Sequence, residues 1–293
     1  MSDNKIPRIL VLTLYSGENE IDLCKESVSK QNGVTATHEV FENLPNIEAH
    51  RTLYARIMEQ SKSYDWFVKL DADMILNDEH SLQKSIQHIE KLKENAGMAI
   101  FTLQDWPTSI PIWGINFFSP SCKWDWVKNS ETIPDQLFVD PDPIHEGSRL
   151  IIDEPPAPIA SHMQSPSNFQ AFFFGAHRAL KALSKDGDKP SSRAKTQWNI
   201  LRAVGKHYGL SKNKKLALIL AGAEYIRNLE KTENLPELLN KDDSAINNAF
   251  KKYSGKSDKE LKSIIKFWVC PITPTLDWYF KRSGWKLILT RFF

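Results

Sequence analysis

The sequence predicts an α/β fold: a mixed sheet flanked by helices, followed by a mostly helical C-terminal region. Three observations predict it. From Arg8 to about Leu103, strand-length apolar runs alternate with helical apolar spacing, the rhythm of strands joined by crossover helices. Past Trp106 that rhythm breaks into Pro- and Trp-rich sequence with further short apolar runs, the mark of a mixed-sheet extension. From Asn168 onward helical patterns dominate.

Taken in order, the run RILVLTL (Arg8 to Leu14) is a buried strand. A turn at Ser16 and Gly17 leads to a short helix with Ile21, Cys24 and Val28 on one face, stopped by Asn32 and Gly33. Val34 to Phe41 reads as a second strand, Asn46 to Ser61 as a helix with Ala49, Leu53 and Ile57 inward, and Trp66 to Leu70 as a third strand. Leu82, Ile86, Ile89 and Leu92 mark an amphipathic helix closed by Ala96 and Gly97, ahead of a fourth strand from Met98 to Leu103. The extension offers strands at Ile112 to Phe118, Leu150 to Ile152 and Ile159 to Ala160. Helical patterns then cover Phe169 to Leu183, Arg193 to His207, Lys214 to Leu229, Pro236 to Tyr253 and Asp258 to Trp268. Ser184 to Ser192, with Gly187 and Pro190, reads as a boundary. The expected parts are therefore a sheet domain over 1–183, a helical region over 184–265 and a basic aromatic tail over 266–293.

Composition narrows the class. With 41% apolar and 25% charged residues in a 293-residue chain, neither a disordered nor a collagen-like protein fits. No apolar run approaches the roughly 20 residues that cross a bilayer, and Met1 to Arg8 lacks the apolar core of a secretion signal. Cys24, Cys122 and Cys270 are odd in number and far apart, which disfavours a disulfide framework or a four-ligand zinc site. A cytoplasmic location is the expectation. The net charge of +2 hides a polarity: residues 1–180 carry 15 Lys and Arg against 25 Asp and Glu, residues 181–293 carry 23 against 11. The basic C-terminal part suggests an anionic surface as partner, distinct from whatever the acidic part does.

The strongest local signal is WFVKLDADM, an apolar strand that ends in Asp71-Ala72-Asp73. Three Asp-x-Asp triplets occur, the others being Asp140/Asp142 and Asp186/Asp188, which flank Pro or Gly and read as turns. Only the first ends a buried strand. At the carboxyl end of a parallel strand the sheet opens into the ligand crevice, and residues i and i+2 of an extended chain point to one side. Both carboxylates would then face one ligand, as a divalent cation requires. Mg²⁺ or Mn²⁺ takes one or two protein carboxylates and completes its shell with water and substrate phosphates, so the pair implies a diphosphate leaving group that needs charge neutralisation. The plain alternative is a solvated acidic strand end.

On these residues the sequence resembles the GT-A glycosyltransferases, especially the large family 2 type, over roughly residues 7–165. The resemblance implies a nucleotide-sugar fold in which Thr13, Leu14 and Tyr15, ending the first strand, contact base and ribose. It implies a diphosphate contact from the helix that carries Ala49, His50, Arg51, Ala55 and Arg56, with either Arg51 or Arg56 as the contact. Asp71 touches the nucleotide and the metal in that layout. The stretch from Pro134 and Asp135 through EGSRLIIDEPPAPIASHMQSPS is similar to the family's acidic motif, strands and terminal His. Asp135 falls at the base that deprotonates the acceptor hydroxyl, with Asp153 and Glu154 as neighbouring competitors. His162 falls at the ligand that completes the metal site with Asp71 and Asp73. The implied cofactor is Mn²⁺ or Mg²⁺, and the implied donor is a nucleotide-diphosphate sugar. The family's Gln-x-x-Arg-Trp motif is absent; FQAFFFGAHRALK stands in its place, with Gln170, His177 and Arg178 on a helix. Its absence points to a transferase of single sugars rather than a processive synthase.

What remains concerns partners. Trp106, Trp113, Trp124 and Trp126 lie where such enzymes build the acceptor side, and at most one or two of them are expected to touch a sugar while core packing explains most. Residues 266–293 hold eight aromatics and five Lys and Arg against one Asp. That is the composition of a peripheral anchor on an anionic membrane surface, fitting a lipid-linked glycan acceptor, or of a clamp packed back onto the helices. Nucleic acid is disfavoured, for no recognition motif accompanies the Lys-rich helices. The expected role is an inverting transfer in bacterial surface polysaccharide assembly, lipopolysaccharide or capsule, on the inner face of the membrane. Its rivals are a sugar-nucleotide pyrophosphorylase and a non-catalytic scaffold of an assembly complex.

Overall fold

Four consecutive apolar residues, Ile9, Leu10, Val11 and Leu12, are fully buried in strand β1 (Arg8–Tyr15), so both faces of the sheet are covered. The computed structural model describes residues 6–93, 95–128, 143–183, 185–186, 189–190, 192–229 and 243–269. On one face Ile9 and Val11 pack with Cys24 and Val28 of α1 (Ile21–Ser29) and with Leu82, Ile86 and Ile89 of α3 (Ser81–Leu92). On the other, Leu10 and Leu12 pack with Leu53, Tyr54 and Ile57 of α2 (Asn46–Glu59). Each such side chain contributes about 1.5–3 kcal/mol by leaving water, which is why the helices lie flat on the sheet.

The remaining strands are β2 (Thr35–Glu42), β3 (Trp66–Lys69), β4 (Met74–Leu76), β5 (Ala96–Asp105), β6 (Ile110–Phe118), β7 (Ser148–Ile152) and β8 (Ala160–His162). With β1 they form one sheet in the order β2-β1-β3-β6-β5-β8-β4, with β7 pairing β5. The β1/β2, β1/β3, β5/β7 and β5/β8 pairs are parallel; β3/β6, β5/β6 and β4/β8 are antiparallel. The mixed α/β sheet flanked by helices is thus as the sequence predicts. Strand β4 is not: a three-residue strand directly after Asp73 carries too short an apolar run to be read.

The described residues divide into two compact units at Ser165/Pro166, with Pro107–Ser109 grouped in the second. The second unit contains α5 (Asn168–Ala182), α6 (Ser192–Ser211), α7 (Lys214–Leu229), α8 (Asp243–Ser254), α9 (Asp258–Ile264) and α10 (Lys266–Val269), beside a two-stranded ladder of β9 (Lys185–Asp186) and β10 (Lys189–Pro190). The sequence placed α5 with the sheet; glycine packing explains why it goes with the helices. A Cβ on Gly175 would fall 1.7 Å from the Ile219 carbonyl oxygen, and one on Gly222 would fall 2.0 Å from that of Phe172, so α5 and α7 approach backbone to backbone. The predicted Asp258-to-Trp268 helix is two short ones, and Ser184 to Ser192 holds the β9/β10 ladder in place of a plain linker.

Trp268 is buried against Trp198 at a ring separation of 5.3 Å, and Arg227 lies over Phe267 at 4.4 Å. The start of the aromatic tail therefore packs onto its own helices; from Cys270 on, the tail lies outside the described residues. Among the described residues no helix is long and apolar enough to cross a membrane.

Candidate functional site

The Asp-x-Asp segment sits where β3 ends, but in a turn rather than in extended chain. Leu70 N–H donates to Leu12 O (3.1 Å), and Met74 N–H then closes a turn onto Asp71 O (2.9 Å) before β4 begins. The alternation argument, which needs extended chain through both carboxylates, therefore does not apply. Asp71, 41% exposed at its side chain, takes the ammonium of Lys69 at 2.9 Å. Lys69 itself is buried.

Asp73 meets His162 instead, and sheet register brings them together. Met74 pairs His162 across β4/β8, Met163 N–H donates to Asp73 O (2.9 Å), and β5/β8 pairing sets Asp105 beside His162. His162 Nε2 lies 3.2 Å from Asp73 Oδ2, and Nδ1 lies 2.6 Å from Asp105 Oδ1. Burial is graded along this chain: side-chain exposure is 16% for Asp73, 7% for His162 and none for Asp105. Burial alone would discharge the imidazole, yet the Asp73 charge and the Asp105 hydrogen bond overcome it and push His162 up to about 10. Met163, next in chain, sits at φ 52°, a strained conformation for a side chain of that size.

Asp105 was missed from sequence. Its signal is the one that marked Asp71, a carboxylate ending an apolar strand, but the strand's boundary at Leu103 was set two residues short of it.

The ends of β1 and β2 are tied by polar bonds. Thr13 is fully buried; its hydroxyl donates to Leu70 O (2.7 Å) and meets His38 Nε2 (2.9 Å). Because that hydroxyl hydrogen goes to Leu70, His38 is the donor in the second bond. Burial, aided by Lys25, lowers His38 to about 4, so it is a neutral donor. Thr13 thus joins β1, β2 and the Asp71 turn, and its hydroxyl is already committed. Leu14 is half-buried and packs against the core on the α2 side, while Tyr15 is half-buried at the strand end.

The two arginines part company. Arg56 forms a two-point bond with Glu39 at 2.8 Å and 2.8 Å, with Glu59 at 3.6 Å, so its fork is engaged on β2. Arg51 is half-buried and its Nε is sealed from water with no hydrogen-bond partner among the described residues. α2 starts at Asn46 just after β2 ends, so Arg51 lies about 7 Å nearer the sheet's carboxyl edge than Arg56 at the ~1.5 Å rise per residue of a helix.

Asp135 lies outside the described residues, as do Asp140 and Asp142. Asp153 is exposed, and Glu154 is 3.6 Å from His88. Of the tryptophans, Trp124 and Trp126 are buried around Tyr54, Trp106 is half-buried, and Trp113 is 60% exposed on β6. On α5, Gln170 completes a capping box with Ser167, and Arg178 lies over Phe174 and donates to Gln197 at 2.7 Å.

Among the described residues no group of three or more His, Cys, Asp or Glu is arranged to hold a metal ion; a facing pair, Asp73 and His162, is what the fold supplies. That pair fits Mn²⁺ or Mg²⁺, which needs few protein ligands when phosphates and water fill the shell.

No protein-family model matches the chain, and no curated protein matches it. Among solved structures, a similar chain is that of a glycosyltransferase involved in the glycosylation of the major capsid of PBCV-1. It is 17% identical over 54% of this chain and 95% of that one, with a TM-score of 0.32.

Proposed function

We propose that the chain is a metal-dependent GT-A glycosyltransferase that moves a single sugar from a nucleotide-diphosphate sugar to a glycan or lipid-linked glycan acceptor. The observation that carries this reading is the meeting of Asp73 and His162, from separate strands, beside the Asp71 turn at the carboxyl end of β3. A carboxylate and an imidazole 3.2 Å apart are a fitting donor pair for Mn²⁺. When bound, the metal neutralises the departing diphosphate.

The chain's own residues divide the remaining work. Asp73 and His162 hold the cation, and Asp71, oriented by Lys69, faces the donor from the turn. Arg51, with its unsatisfied Nε near the sheet edge, serves the diphosphate, while Arg56 braces α2 on β2. Leu14 and Tyr15 line the nucleoside side on backbone held by Thr13. Trp113 offers its exposed face to the acceptor glycan, whose C–H faces stack on indole. In the resemblance Asp135 takes the acceptor proton, which makes the transfer a single inverting displacement. A bacterial surface polysaccharide, lipopolysaccharide or capsule, is the proposed product, and the basic aromatic tail the proposed contact with an anionic inner membrane face.

Thermal unfolding with UDP, GDP, CMP and dTDP, each with and without Mn²⁺, tests the reading, because a ligand at 100 times its Kd stabilises by about 2.7 kcal/mol. One nucleotide is expected to raise the midpoint only with Mn²⁺, and Asp73→Ala to abolish the rise. No rise with any pair overturns the proposal in favour of a scaffold.

A further inference from the structure

We infer that Asp105 is the positioning residue of this site: its carboxylate fixes the His162 ring so that Nε2, and not Nδ1, is presented beside Asp73 to the cation. The inference rests on the reading of Asp73 and His162 as a cation site and adds a residue outside that ligand pair.

Two observations carry it. The Asp105 carboxylate has no solvent exposure and lies 2.6 Å from Nδ1, so one ring nitrogen is sealed into the protein while the other faces the less buried Asp73. The backbone repeats the constraint. Trp106 N–H donates to His162 O (3.2 Å), and β5/β8 register sets Asp105 against His162, so strand pairing fixes the carboxylate relative to the ring. A histidine metal ligand gains orientation, a fixed tautomer and basicity from a carboxylate on its other nitrogen.

The test is Mn²⁺ binding by the full-length protein, read from the EPR signal of free Mn²⁺, with no nucleotide and no activity assay. Asp73→Ala is expected to remove saturable binding. Asp105→Asn, nearly isosteric, is expected to weaken it about 10–100-fold while keeping the far-UV circular dichroism of the parent. If Asp73→Ala binds as the parent does, the cation-site reading itself fails. If Asp73→Ala loses binding but Asp105→Asn binds within twofold of the parent, the cation site stands and the role of Asp105 is overturned. Should Asp105→Asn not fold, the unsubstituted protein answers: with ¹⁵N-histidine labelling and Zn²⁺ as a diamagnetic probe, a metal shift at His162 Nε2 with Nδ1 still protonated is expected. A metal shift at Nδ1 overturns the inference.

Discussion

Trp124 and Trp113 lie in the same aromatic-rich stretch, yet the structure predicts opposite consequences for their removal. Trp124 is 2% exposed; its ring stacks on Tyr54 at 4.4 Å and meets Phe118 edge-on at 5.1 Å. An indole of that kind buries about 200 Å², or about 5 kcal/mol at ~25 cal/mol per Å². Truncations of buried Trp cost about 3–5 kcal/mol in practice. Trp124→Ala should therefore cost about 4 kcal/mol and lower the melting midpoint by roughly 8–16 °C, at about 2–4 °C per kcal/mol for a unit of this size. Trp113, 60% exposed, should cost about 0.5 kcal/mol or less. As an acceptor platform its loss should instead raise the acceptor KM roughly 2- to 10-fold, the equivalent of about 0.5–1.5 kcal/mol of stacking. Circular dichroism melts of both variants, followed by acceptor titration of Trp113→Ala, make the comparison. A Trp124→Ala protein within about 1 kcal/mol of the parent, or a Trp113→Ala protein as damaged as Trp124→Ala, would refute the assignment of one ring to the core and the other to solvent.

Other expectations are narrower. His38 is held neutral, at about 4 against an ordinary 6.5, by burial and by Lys25. Its contribution is complete above about pH 6.5 and is lost as pH falls toward 4, because the unfolded chain takes up the proton first. The ceiling is about 3 kcal/mol, and screening at a partly exposed ring reduces it to about 1–2 kcal/mol. Urea melts between pH 7 and 4.5 should show this slope, and His38→Gln should flatten it. Arg56→Ala should cost at most about 1 kcal/mol and leave nucleotide affinity alone, whereas Arg51→Ala should weaken nucleotide binding roughly 10- to 100-fold, a charge-assisted bond of about 1.5–3 kcal/mol; calorimetric titration separates them. Gly222→Ala puts a Cβ 2.0 Å from the Phe172 carbonyl oxygen and should destabilise by about 1–3 kcal/mol, visible in the same melts.

The sequence carried the strands and helices of the first unit because their apolar spacing is strong: Ile21, Cys24 and Val28, or Ala49, Leu53 and Ile57, are buried as a 3.6-residue period requires. It overreached at Leu92, which is 42% exposed, because periodicity does not tell where a helix outruns the sheet beneath it. It also placed an extended Asp-Ala-Asp where the chain turns, since a turn closed by one backbone bond onto Asp71 leaves no trace in residue type. The resemblance named Asp73 and His162 separately, while their contact depends on β4/β8 register, which no local pattern encodes. Asp105 depends on the same long-range pairing, and the engagement of Arg56 depends on the distant Glu39.

The most direct test of the account is anomalous diffraction, at an X-ray energy just above the manganese K edge, from crystals grown with Mn²⁺ and the nucleotide that the melts select. The account predicts an anomalous peak within coordination distance of Asp73 and His162 Nε2, with the diphosphate on its other side. A bound nucleotide with no peak there, or a peak at some other carboxylate cluster, would contradict it.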